Sequence, residues 1–159
     1  AKRNRPIVYK TSDQQPDYRE INFSLPFKDQ LYFIYTGKKQ RSESEVKRFL
    51  ARSDQHQHLF SDIHEINNRI IHSRDLKDFE EALRDHERII SGVIDAPPIQ
   101  ERYFPDYPGT IKSLGAWGGD FVLVTWNGPR KELQEYFRDH HMNVIFSWDE
   151  LIKNKAYAG

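Results

Sequence analysis

Apolar positions along the chain change period several times, and each change marks an element. In "EINFSL", Ile21, Phe23 and Leu25 alternate with polar residues, the period of a half-buried strand. "LYFIYT" at 31 to 36 is continuously apolar and aromatic, as a central strand covered on both faces requires, and it ends at Gly37. The period then becomes helical. Ser42 and Glu45 have capping-box spacing, and Val46, Phe49 and Leu50 form one stripe, so a first helix starts near residue 43. Leu59, Ile63, Ile66 and Ile70 predict a second helix. Leu76, Phe79, Leu83, Glu87 and Ile90 predict a third, its stripe broken only by the charged residue. The paired prolines of "DAPPIQ" end the helical region.

Beyond them, "TIKSL" and "DFVLVTW" read as two strands flanking a glycine-rich loop. "NGPRKELQEYF" opens a helix near Asn127 or Gly128, with Pro129 in its first turn and Leu133, Tyr136 and Phe137 on one face; "NVIFSW" is a last strand. Strand, helices, strand, strand, helix, strand is the split βαβ order. The predicted class is α+β: a ferredoxin-like antiparallel sheet with helices packed on one face. Residues 1 to 19 are polar and broken by Pro6 and Pro16, although "IVY" at 7 to 9 suits an edge strand. The predicted division is therefore an extended segment, 1–19, and one domain, 20–159.

Composition narrows the function. Twenty-four basic and twenty-four acidic residues cancel, so no overall field draws the chain to nucleic acid or to an acidic membrane. With no cysteine, disulfides, thiolate metal sites and cysteine nucleophiles are excluded, and the cytoplasm is the default compartment. No apolar run reaches membrane-spanning length, and the charged start "AKRNRPIVYK" is not followed by a signal-peptide core. Histidines at 56, 58, 64 and 72 lack a convincing ligand spacing, and His140 and His141 suit a helix C-terminus, so no metal site is predicted. Glu80 and Glu81 read most simply as solvated charge on a polar helix face.

The stretch "KSLGAWGGDF", 112 to 121, is the candidate site. Its spacing fits neither the dinucleotide fingerprint nor a Walker loop, and it precedes a strand where those motifs precede a helix. Two readings stand: a hairpin connection using glycine for positive φ, or bare main chain able to approach a phosphate.

"KSLGAWGGDFVLV" resembles the third motif of the GHMP kinases, in its phosphomevalonate kinase form, with Lys112, Gly115, Ala116, Gly118, Gly119 and Asp120 at matching positions. "LYFIYTGKKQRSESEVKRFL" is similar to the strand, glycine turn and helix that open the C-terminal domain of that family, and the pair of motifs resembles a bacterial subfamily named for a Gly-Tyr-Asp-Ile-Ala run. The resemblance implies that domain's split βαβ fold, ATP and Mg²⁺ as cofactors, and phosphoryl transfer to an alcohol or phosphate of a small, mevalonate-pathway-like metabolite. It also implies a phosphate or substrate loop made of Lys112, Ser113, Gly115, Ala116, Trp117, Gly118, Gly119 and Asp120. Lys38, Lys39 and Arg41 beside the turn would clamp a substrate phosphate or carboxylate, or are a solvated basic turn.

Trp117 departs from the motif, since the family has glycine there; it would stack on a ring or wedge a domain interface. The family's phosphate loop and catalytic aspartate do not occur in the chain, so it reads as the C-terminal part of a longer kinase, inactive alone, with the catalytic base in a missing N-terminal domain. The face left by that domain would suit a homodimer. The alternative is a non-catalytic split-βαβ module for metabolite binding or association.

Overall fold

The strand predicted to be central is central. A computed structural model describes residues 6–10, 17–37, 59–115 and 120–152. Strand β3 (Leu31–Tyr35) follows two short strands, β1 (Ile7–Lys10) and β2 (Asp17–Glu20), and has a neighbour on each side. After it come helices α1 (Leu59–His72), α2 (Leu76–Ile94) and α3 (Ile99–Tyr103). Strands β4 (Ile111–Ser113) and β5 (Phe121–Thr125), helix α4 (Arg130–Asp139), strand β6 (Ile145–Ser147) and the single turn α5 (Trp148–Leu151) complete the described chain. The four-stranded sheet has the order β4-β5-β3-β6 with every pair antiparallel, the split βαβ order predicted from the periodicities.

Alternate side chains of β3 and β5 enter two cores. Leu31, Phe33 and Leu123 pack with Leu25, Phe27, Trp148 and the α2 residues Phe79 and Leu83. Tyr32, Ile34, Val122 and Val124 pack with Ile99, Phe104 and Tyr107 and with Leu133 and Phe137 of α4. Each side of the strand therefore removes apolar surface from water, at about 25 cal/mol per Å². The long helices α1 and α2 pack on each other, and α2 carries the pair onto its side of the sheet.

Local chemistry fixes the ends. Asp75 caps α2 by accepting from the Asp78 N–H at 2.9 Å. Ser147 and Glu150 form a capping box that turns β6 directly into α5; these bonds, then Arg130, hold the Glu150 carboxyl down at about 2. Gln100 covers the open edge of β4: its Oε1 accepts from the Ile111 N–H at 2.9 Å and its Nε2 donates to the Gly109 carbonyl at 2.9 Å. Gly109 has no room for a side chain, because a Cβ there would meet the Thr125 carbonyl oxygen.

Two strand expectations need correction. Residues 21–25 are not a strand: Ile21 adds one further bond to the β1–β2 ribbon, its N–H donating to the Pro6 carbonyl, and the chain then leaves it. The alternation there reports burial of Phe23 and Leu25 against the Trp148 core, without a neighbouring backbone to complete a ladder. "IVY" is a strand, but it pairs with β2 in a separate ribbon and adds nothing to the main sheet. The helix predicted near residue 43 lies outside the described residues.

Candidate functional site

The two glycine turns singled out in the sequence are 78 residues apart and meet at one end of the sheet, by way of the β3–β5 pairing. The Thr36 N–H donates to the Asp120 carbonyl at 2.8 Å, and the Thr36 hydroxyl donates to the same oxygen at 3.3 Å. The Leu114 N–H donates to the Phe121 carbonyl at 3.1 Å, so β4 and β5 form a hairpin up to the mouth of the loop. Gly37 has φ +69 and Gly115 φ +73, and a Cβ on either would meet nothing within 4 Å. Glycine is needed there for the left-handed backbone, and the space beside it is open. The β4–β5 hairpin and the positive φ of Gly115 are the features of the hairpin reading.

Lys112 and Ser113 stand at the root of this hairpin and turn to Glu87 of α2. The Lys112 Nζ lies 3.0 Å from Glu87 Oε1 and 3.4 Å from the Ser113 carbonyl, and the Ser113 hydroxyl donates to the same Oε1 at 2.9 Å. Glu87 is 3% exposed. Its other oxygen, Oε2, has no hydrogen-bond partner among the described residues, and neither has the Nδ1 of His86. Burial, followed by the nearby Lys112 charge, pushes His86 down to about 4. The charged residue that interrupts the apolar stripe of α2 is therefore the inner anchor of the loop's first strand. The sequence displayed the interruption but not its partner, because 25 residues separate Glu87 from Lys112.

Of the other predicted site residues, Asp120 is exposed at the far end of the loop. Ala116, Trp117, Gly118 and Gly119, with the clamp candidates Lys38, Lys39 and Arg41, lie outside the described residues. Glu80 corrects its expectation of plain solvation. Its side chain is 20% exposed and accepts from the Thr125 hydroxyl at 2.5 Å, whereas Glu81 is exposed. Thr36 is the residue that sequence reasoning passed over, since nothing local marks its bond to Asp120.

A Cβ on Gly115 would meet nothing within 4 Å, and Asp120, exposed, is the carboxylate of the loop. One carboxylate suits Mg²⁺ only as a partial ligand set completed by phosphate oxygens and water. Among the described residues no three His, Asp or Glu side chains gather as a metal cage. Nor, among the described residues, is any helix long and apolar enough to cross a membrane.

Fold and site together define an α+β split-βαβ domain whose two glycine turns share one sheet end. A solved structure with this fold is mevalonate kinase from L. major in complex with R-mevalonate, at a TM-score of 0.63 and 13% identity over 89% of this chain. The chain spans 47% of that kinase, about half its length. No family model matches the chain, and no curated protein matches it.

Proposed function

We propose that this chain forms one wall of the active-site cleft of a GHMP-type small-molecule kinase, which transfers the γ-phosphoryl group of ATP to an alcohol or phosphate group of a small metabolite. The observation carrying this reading is the Thr36–Asp120 contact, which sets both family-like glycine turns side by side on a fold shared with mevalonate kinase. Phosphoryl transfer relies on positioning and on donors aimed at phosphate oxygens. Main-chain N–H groups of the segment 115–119 would supply such donors. Asp120 would hold Mg²⁺ through its carboxylate, and Lys112, drawn to Glu87, would set the loop's first strand in place rather than meet phosphate directly. The catalytic base and principal ATP loop would come from a preceding domain to which residues 1–19 belong.

The test is ATP turnover by the protein translated from the complete reading frame, with mevalonate and a panel of small alcohols and phosphates as acceptors. Turnover abolished by Gly118→Val is the expected result. Absence of both turnover and nucleotide binding in the unmodified protein would overturn the reading in favour of a non-catalytic association module.

A further inference from the structure

Two successive side chains of β4 reach a single oxygen. Lys112 stands opposite Leu123 and Ser113 opposite Val122, and those partners pack into different cores, so Lys112 and Ser113 leave the strand on opposite sides of the sheet. Yet the Lys112 Nζ and the Ser113 hydroxyl both meet Glu87 Oε1, at 3.0 and 2.9 Å. Side chains from opposite faces converge only at the rim of a sheet, and β4 is the outermost strand. Backbone pairing agrees. Leu114 spends its N–H on Phe121, so the preceding Ser113 turns its own backbone groups outward, and its carbonyl lies 3.4 Å from the Lys112 Nζ. Glu87, on a helix held to the sheet by Phe79 and Leu83, therefore grips the rim of β4 from both faces.

Such a grip fixes twist. Turning β4 about its own axis carries one of the two side chains toward α2 and the other away. The lysine, on a flexible four-carbon stem, follows such a turn, whereas the short serine does not. Ser113 lies two residues before Gly115, whose left-handed φ of +73 opens the glycine loop. The direction in which the chain leaves the sheet is thus set by a hydroxyl whose proton is already committed to a carboxylate. We propose, resting on the kinase reading for the ligand, that Ser113 is a positioning residue of the phosphate site: it touches no phosphate, and through Glu87 it holds the Gly115 main chain at the angle that phosphate binding requires.

Two measurements test this. In the 159-residue chain without nucleotide, Ser113→Ala should shift the Gly115 amide resonance and speed its hydrogen exchange about tenfold, the size of one lost hydrogen bond. Ser113→Thr, which keeps the hydroxyl, should restore both, and Ser113→Cys, similar in size with a weak donor, replaces the alanine variant if that fails to fold. In the protein translated from the complete reading frame, Ser113→Ala should raise KM for ATP about tenfold and change kcat by less than about twofold, the pattern of lost uniform binding. A role confined to stability would lower the urea midpoint and leave that KM alone. An unmoved Gly115 amide, an unchanged KM, or Ser113→Thr behaving like Ser113→Ala would each overturn the proposal. Absence of nucleotide binding and turnover in the unmodified protein is a distinct result, which overturns the kinase reading and this role with it.

Discussion

Two lysine–carboxylate pairs tie together distant parts of this chain, and they differ in surroundings rather than in chemistry. Lys112 meets Glu87 at 3.0 Å with side chains 14% and 4% exposed; Lys28 meets Asp149 at 2.7 Å with side chains 38% and 55% exposed. The shorter contact is the wetter one. In water, attraction between unit charges at such range is about 1 kcal/mol and is offset by ordering two long side chains, whereas a buried charge that loses its partner is stranded. Distance is a poor guide to importance here. Burial separates a contact that holds α2 to the loop-bearing hairpin from one that decorates the surface.

The largest effect expected from breaking this contrast is at Glu87. Glu87→Ala should destabilise the fold by about 3 to 5 kcal/mol, the usual cost of removing one member of a buried pair, read as a fall in the urea midpoint. Replacing Glu87 and Lys112 together by methionine should restore most of that loss, since neither charge is then stranded. If the double variant is as unstable as the single one, packing rather than stranded charge is the cause.

Next is the pH dependence that His86 lends to the same region. Its folded value, about 4, lies below the ordinary 6.5, so above 6.5 the ring is neutral in both the folded and unfolded states. As pH falls from 6.5 towards 4 the unfolded chain takes up a proton that the folded chain refuses, and stability drops; below about 4 both bind it and the loss stops. The midpoint of unfolding should fall across that window, and His86→Phe should flatten the fall. A slope unchanged by the substitution would assign it to other groups.

These two residues also show where the sequence was legible and where it was not. Continuous apolar character placed β3 at the centre, and spacing of three and four residues found α1, α2 and α4, because those signals are local. The alternation of Ile21, Phe23 and Leu25 misled because burial against Trp148 has the same period as a strand. At the candidate site, glycine spacing marked the turns, and Gly37 and Gly115 do have left-handed backbones. The contacts that organise the site, Thr36 with Asp120 and Glu87 with Lys112, join residues whose neighbours in sequence carry no trace of the pairing.

Glu80 gives an intermediate case that sharpens the contrast. At 20% exposure it accepts from the buried Thr125 hydroxyl, tying α2 to the central strands, while Arg84 stands 3.8 Å away. Glu80→Ala removes this bond and leaves the Thr125 hydroxyl oxygen accepting from the Thr110 N–H at 2.8 Å. A loss of about 1 kcal/mol in denaturant unfolding is expected, larger than for surface pairs and well below Glu87→Ala. No measurable loss would place Glu80 with the surface charges after all.

The smallest effect belongs to Lys28. Asp149 accepts from its ammonium at 2.7 and 2.8 Å, and this bond, ahead of the attraction of charge, raises the lysine above its ordinary range. The contact joins residues 121 positions apart, so by connectivity alone it would look like a staple between the two ends of the described chain. Its exposure argues otherwise: both groups are well solvated without each other, and the neighbouring segments are already fixed by Phe27, Phe33 and Trp148 in the core. Lys28→Ala should leave the unfolding midpoint unchanged within error at physiological salt and lower it slightly, if at all, at low ionic strength, where screening is weakest. A loss comparable with that of Glu87→Ala would mean that chain closure, rather than burial, decides which of the two pairs matters.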